Sequence, residues 1–299
     1  MSIKAEWIAV DWGTSHLRVW AMRGETILAR AESQDGLSRL TRDQFEPALL
    51  ALVTPWLGTD PVDVLACGMV GARQGWTEAP YSAVPAAPLP AAPVRVPGTD
   101  TRLRAYVVPG LKQAKPADVM RGEETQIAGF LAQNANWDGV ICLPGTHTKW
   151  AHVSADEVVS FRTFMTGELF DLLGTHSILR HSVGDGWDAA AFSEAVDETL
   201  SRPEVLASRL FGLRASDLLN GPAPAAYRAR LSGLLIGAEL AATRPYWLGQ
   251  QIAIIGAPAL CETYAQALRL VGAEARIAVA EDMTLAGLSA ARTYLGELA

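Results

Sequence analysis

WIAVDWGTSHLRVWAM, residues 7–22, reads as two apolar strands, WIAV and LRVWAM, joined by the polar turn Asp11-Trp12-Gly13-Thr14-Ser15-His16. Period-2 alternation around a Gly-bearing turn is the signature of a β-hairpin. A glycine in such a turn lets backbone N–H groups approach an anion closely, and the Thr14 and Ser15 hydroxyls add donors. Asp11, at the strand end, is suited to hold a magnesium ion through water, because Mg2+ keeps several of its waters. An ordinary exposed hairpin carries the same residue types, so this stretch by itself leaves both readings open.

A second turn narrows the choice. LPGTHTKW, residues 143–150, again sets Gly145 and Thr146 between two apolar strands, about halfway along the chain. Two phosphate-holding hairpins from a duplicated α/β unit are able to close on one nucleotide from opposite sides. His147 is a further donor for a phosphate oxygen, or else simply completes the turn; Lys149 is a second cation facing the phosphates.

Working outward, the rest of the chain alternates between strand and helix patterns, which predicts α/β layers. A third strand follows at 27–31. Thr41 and Gln44 have capping-box spacing before the helical stretch FEPALLALV. VDVLA at 62–66 reads as a buried strand, and CGMVGARQGW after it as a polar loop. Prolines 85, 88, 90, 93 and 97 make 83–97 extended, irregular backbone inserted in the first domain. Helical character is expected over 118–132, from about Thr166 to Ser201, and near 203–213 and 225–242. Strands are expected at 251–255 and 276–280, and a last helix at 283–296.

Composition excludes several classes. The 299 residues are 49% hydrophobic and 19% charged, the balance of a globular protein, and the formal charge is 25 − 32 = −7. A general nucleic-acid binder needs a basic excess that is absent here. Cys67, Cys142 and Cys261 lie far apart in apolar stretches, without a CxxC or Cys/His cluster, so neither a disulfide framework nor a zinc site is expected. The N-terminus enters a strand pattern without a signal-peptide core, and no apolar run of about 18 residues occurs, so a cytoplasmic location is expected.

The paired turns resemble the first and second phosphate motifs of the actin-like, hexokinase-type ATPase superfamily. IIGAPALCETYAQAL at 254–268 resembles its adenosine motif, with Gly256 at the strand–helix junction, and AEDMTLAGLSAA its final connecting helix. CGMVGARQGWTEAPY, DVMRGEETQIAG, LPGTHTKW, TGELFDLL with HSIL, and GLLIGAEL together resemble the 2-dehydro-3-deoxygalactonokinase family over essentially the whole chain. The resemblance implies two actin-like (ribonuclease H-like) α/β domains around a nucleotide and substrate cleft. They are expected at 1–133, with helix 283–296 packing back, and at 134–282. ATP and Mg2+ are the implied cofactors and a small sugar acid the substrate, with no nucleic-acid or membrane partner and a homodimer as a possible assembly. Phosphoryl transfer needs positioning, charge neutralisation and a carboxylate to receive the hydroxyl proton. Sugar kinases of the superfamily carry that base, usually an Asp, on a helix before the second phosphate turn. Glu124 comes first as candidate, with Glu123 and Asp118 as alternatives; a Glu pair at a helix start also suits the helix dipole. The implied substrate, a six-carbon 2-keto-3-deoxy aldonate, bears a carboxylate that suits an Arg fork. Arg73 with Gln74 and Trp76 in the polar loop, Arg121, and Arg162 are the candidates. A gluconate-derived or neutral-hexose kinase, and a non-catalytic nucleotide-dependent scaffold or sensor, are the competing readings.

Overall fold

In the computed structural model, which describes residues 3–296, the opening segment folds as expected into an antiparallel hairpin. It comprises β1 (Trp7–Trp12) and β2 (Leu17–Arg23), and the register sets Asp11 opposite Arg18. The chain continues through β3 (Thr26–Ser33), α1 (Phe45–Val53) and β4 (Val62–Gly68). The capping-box signal is realised: the Thr41 side chain accepts from the Gln44 N–H, and Gln44 Oε1 accepts from the Thr41 N–H at 2.8 Å. Next come β5 (Tyr81–Ala83), β6 (Val94–Arg95), β7 (Leu103–Val107), β8 (Gly110–Gln113), β9 (Asp118–Met120) and α2 (Glu123–Gln133). The main sheet has the order β3-β2-β1-β4-β7-β6, and β5-β8-β9 form a small separate sheet.

The period-2 rule assigns faces. Ile8, Val10 and Trp12 pack with Phe45, Leu49 and Val53 of α1, while Trp7, Ala9 and Cys67 face the opposite side. Asp11 therefore points to the second face, the one covered by helices other than α1.

The second half begins with β10 (Gly139–Leu143), β11 (Thr148–Ser154) and β12 (Glu157–Phe164). Helices α3 (Thr166–Thr175), α4 (Ala189–Ser201), α5 (Leu206–Asn220), α6 (Pro224–Ala242) and the short α7 (Arg244–Trp247) follow. The chain then runs through β13 (Ile252–Gly256), α8 (Pro258–Arg269), β14 (Ala275–Val279) and the final α9 (Ala280–Gly296). This sheet has the order β12-β11-β10-β13-β14. Counted from its own first strand, each half has three sequential strands and then two parallel strands beside the first, β4-β7 in one and β13-β14 in the other; β6 extends the first sheet by one antiparallel strand. The duplicated unit expected from the paired turns is present, and both copies are of the actin-like class. Strands β10 and β13 are buried throughout, as parallel strands covered on both faces must be.

Two compact units result: residues 1–138, 153–160 and 280–299, and residues 139–152 and 161–279. In the first, α9 crosses α2 at backbone contact distance. A Cβ on Gly129 would stand 1.9 Å from Met283 O, and one on Gly287 1.9 Å from Thr125 O. In the second, α4 and α6 pack against the sheet through Phe192, Val196, Ile236 and Leu240.

Two helical expectations need correction. Residues 118–120 are strand β9, and α2 starts only at Glu123, because Gly122 has φ +106° and breaks any helix there. The stretch 166–201 is two helices, with Gly184 and Gly186 between them and Asp188 capping α4 by accepting from the Ala190 and Ala191 N–H groups. Among the described residues no helix is long and apolar enough to cross a membrane.

Candidate active site

The first turn is closed by Gly13 N–H donating to His16 O at 2.9 Å. Residues 36–38 brace it from below: Gly13 O accepts from the Leu37 N–H, and Thr14 O accepts from both the N–H and the hydroxyl of Ser38. Gly36 makes this possible, since a Cβ there would lie 2.3 Å from Thr14 O. Thr14 and Ser15 stand exposed above that brace. A Cβ on Gly13 would meet nothing closer than 3.7 Å, so the protein's own packing does not require glycine there.

Asp11 Oδ2 pairs with Arg18 Nη1 at 3.2 Å, the cross-strand neighbour set by the hairpin register. Burial pushes the Asp11 carboxyl up from its ordinary value, Arg18 pulls it down, and the negative charge of Glu123 adds to the rise. Asp11 and Glu123 therefore belong to one acidic neighbourhood. Gly68 (φ +91°) and Gly122 complete it, a Cβ on Gly122 falling 3.2 Å from the Gly68 Cα.

Glu124, in the first turn of α2, has no exposed surface. Both carboxylate oxygens accept from the Gly122 N–H, at 2.9 and 2.7 Å, and Oε1 also accepts from the Thr125 hydroxyl at 3.0 Å. Burial, reinforced by the charge of Glu123, lifts its pKa to about 8. Glu123 Oε2 instead accepts from the Arg121 N–H at 3.0 Å. Asp118 is not on the helix; it sits on β9, where Oδ1 accepts from the Val119 N–H.

The polar loop after β4 starts at Gly68, beside this carboxylate cluster. Arg42 grips it from outside, donating to Arg73 O at 2.7 Å and Gly75 O at 3.1 Å. Arg121 grips it from inside, donating to Ala79 O at 2.7 Å and to the Tyr81 hydroxyl, with its guanidinium 4.2 Å from the Tyr81 ring centroid. The loop so held presents Arg73 and Gln74 to solvent. This corrects two expectations. Arg121 is a buried brace, 8% exposed, and not an accessible fork. Trp76 turns toward the core, where it meets Trp12 edge-on at 6.0 Å. Arg162 is exposed on β12.

The second turn repeats the logic of the first. Nothing lies within 4 Å of a Cβ on Gly145, and Thr146 and His147 are exposed. Here α3 supplies the brace: the Glu168 N–H donates to Thr146 O at 2.9 Å, and His147 Nε2 lies 2.6 Å from Glu168 Oε2. Lys149 is buried on β11, 6% exposed. Gly256 has a packing cause, since a Cβ would lie 3.1 Å from Cys261 Sγ and 3.2 Å from Pro144 O.

Beside Gly145 opens a largely apolar cavity of about 290 Å³. Its walls come from the start of α3 (Thr166, Gly167), from α6 (Arg228, Ser232) and from α8 (Thr263, Tyr264). Phe170 and the half-exposed Trp187 add aromatic faces, and the Arg228 guanidinium stands 5.1 Å over the Phe170 ring. Gly256 is not among the lining residues. Of these walls, sequence reading marked only the α8 part, within the motif at 254–268. TGELF, GLLIGAEL and the Tyr264 helix are each legible as amphipathic helix, but their convergence on one cavity is not. Behind it lies Glu239, 3% exposed, whose Oε1 accepts from Trp150 Nε1 at 2.7 Å and whose Oε2 accepts from the Thr166 and Tyr264 hydroxyls. Burial raises its pKa to about 7, against the pull of those three donors.

These features have relatives. A family profile described as 2-keto-3-deoxy-galactonokinase matches residues 11–291. The chain is 38% identical, over 97% of its length and 98% of the relative's, to a protein of Rhizobium meliloti (strain 1021) named a probable 2-dehydro-3-deoxygalactonokinase. It is 33% identical, over 95% of its length and 96% of the relative's, to the 2-dehydro-3-deoxygalactonokinase of Escherichia coli (strain K12). A crystal structure from Sinorhizobium meliloti, assigned as a 2-dehydro-3-deoxygalactonokinase protein, superposes with a TM-score of 0.89 at 39% identity, covering 97% of this chain and 99% of that one. With a profile match from Asp11 to Ala291 and whole-length relatives above 30% identity, the chain belongs to the 2-keto-3-deoxy-galactonokinase family of ATP-dependent sugar-acid kinases.

Proposed function

We propose that this chain transfers the γ-phosphoryl group of ATP to the C6 hydroxyl of 2-dehydro-3-deoxy-D-galactonate, with Glu124 as the general base. The observation that carries the assignment is the state of Glu124: buried, oriented by Gly122 and Thr125, and with a pKa near 8. A general base works best with its pKa near the working pH and its geometry fixed; Glu124 is held by Gly122 and Thr125, and its ionised fraction, the minor one at neutral pH, is the form that takes the proton.

In the proposed reaction the hydroxyl proton passes to a Glu124 oxygen as the C6 oxygen bonds to the γ-phosphorus. The bond from that phosphorus to the β,γ-bridging oxygen breaks, and ADP departs with the electron pair. The exposed Arg73 takes the substrate carboxylate, with Gln74 beside it for a hydroxyl. The backbone and hydroxyls of the turns at 13–15 and 145–146 hold the phosphates, and the cavity beside Gly145 takes the adenosine. His147, tied to Glu168, is the second turn's remaining donor toward a phosphate oxygen.

The carboxylates also fit a magnesium ion. Among the described residues no three His, Cys, Asp or Glu side chains converge as metal ligands. One or two carboxylates with water suit Mg2+ bound to phosphates, and Asp11 with Glu123 nearby supplies them. The ion neutralises charge on the phosphates when bound. The reaction is placed in the cytoplasm, where ATP is available and Cys67, Cys142 and Cys261 stay reduced.

The test is ADP release over a panel of aldonates and neutral hexoses. The 2-dehydro-3-deoxy aldonates are expected to stimulate release and neutral hexoses not to. Arg73→Ala is expected to raise KM for the acid about 10- to 100-fold, the loss of a charge-assisted hydrogen-bond pair. Stimulation by glucose equal to that by the acid overturns the substrate assignment.

A further inference from the structure

We infer that Glu239 is a positioning residue for the nucleotide, setting the shape of the cavity beside Gly145 without touching the ligand. The inference rests on the reading of that cavity as the adenosine site. Two of its lining residues, Thr166 from α3 and Tyr264 from α8, donate to the same oxygen of Glu239. The other oxygen is held by Trp150 on β11, the strand that leaves the second phosphate turn. One side chain on α6 thereby joins two walls of the cavity to the strand behind it.

The direction of the network is fixed by its chemistry. The Trp150 indole only donates, so Glu239 Oε1 is an acceptor. Tyr264 donates to Glu239 Oε2 and stands 2.9 Å from the Thr148 hydroxyl, which is thereby free to donate to the Tyr264 oxygen. Every donor runs toward the carboxylate. A neutral amide in its place keeps the Trp150 bond but turns an –NH2 toward Thr166 and Tyr264, so both hydroxyls must reverse. The volume is unchanged, but the charged acceptor that holds both walls becomes a neutral donor. An apolar residue of the same shape would leave the Trp150, Thr166 and Tyr264 donors without their acceptor, so the walls themselves require Glu239. Its presence is explained by what it orients.

The experiment is steady-state kinetics of Glu239→Gln in the full chain, with ATP and the sugar acid varied separately and folding checked by near-ultraviolet circular dichroism. KM for ATP is expected to rise about tenfold while KM for the sugar acid stays within twofold of wild type. Unchanged constants overturn the inference. So does a parallel rise in both KM values with a lowered melting temperature, the mark of a general packing role. If Glu239→Gln does not fold, Tyr264→Phe, which removes one hydroxyl from the network, decides instead: a rise confined to KM for ATP supports the inference and no rise overturns it. Ser232→Trp, which fills the cavity, separates the two readings. If it leaves ATP kinetics normal, the adenosine assignment itself is wrong. If it abolishes ATP use while Glu239→Gln and Tyr264→Phe do nothing, only the inference about Glu239 falls.

Discussion

Glu124 and Glu239 are two acids buried in different units, and both hold a proton more tightly folded than unfolded. Their pKa values rise from 4.5 to about 8 and about 7, because burial disfavours the charged form. Between those limits the native state binds protons that the unfolded chain has released. Their contribution to stability is whole below about pH 4.5 and is lost as pH rises through 7 and then 8. Melting temperature is therefore expected to fall from pH 5 to pH 8.5, and Glu124→Gln to flatten the upper part of the fall. A wild-type slope equal to that of Glu124→Gln across this range contradicts the assignment. The candidacy of Glu124 was legible in RGEETQIAG, but its burial was not. Glu123 and Glu124 are adjacent and chemically alike, and only the break at Gly122 turns one carboxylate toward Asp11 and the other into the protein.

At the scale of elements, α2 is held in place by α9, and the crossing depends on glycines facing backbone. Thr125, whose carbonyl lies under Gly287, is the neighbour and hydrogen-bond donor of Glu124. Gly287→Ala must push the two helices apart, with an overpacking cost of about 1–3 kcal/mol. The expected result is a lower melting temperature together with a several-fold lower kcat, while KM for ATP changes little, because the nucleotide cavity lies in the other unit. Loss of stability with kcat intact would uncouple α9 from the base. Strand–turn–strand units were legible because alternation and turn glycines are local signals. Arg121 and Trp76 were misread because the same residue types serve as ligand contacts or braces, and tertiary packing decides which.

For the molecule as a whole, the repeated strand order is the feature the paired turns at 13 and 145 foretold. Duplication shows in sequence through two short Gly-Thr turns, whose glycines are free of packing demands. The rest of each unit was free to diverge: the first added β5, β8 and β9, and the second a layer from α3 to α6. The α3 and α6 walls of the cavity belong to that divergent layer, which is why sequence reading marked only its α8 wall, through the motif at 254–268. A net charge of −7 also sets the task of the proposed site, because two anionic substrates would have to be held by a few local cations, the role proposed for Arg73, against an acidic background.

All of this converges on proton removal by one buried carboxylate, and turnover of Glu124→Gln with ATP and 2-dehydro-3-deoxy-D-galactonate measures it most directly. The account predicts that kcat falls by about 10²- to 10⁴-fold with KM for both substrates nearly unchanged. Turnover within a few-fold of wild type would contradict it.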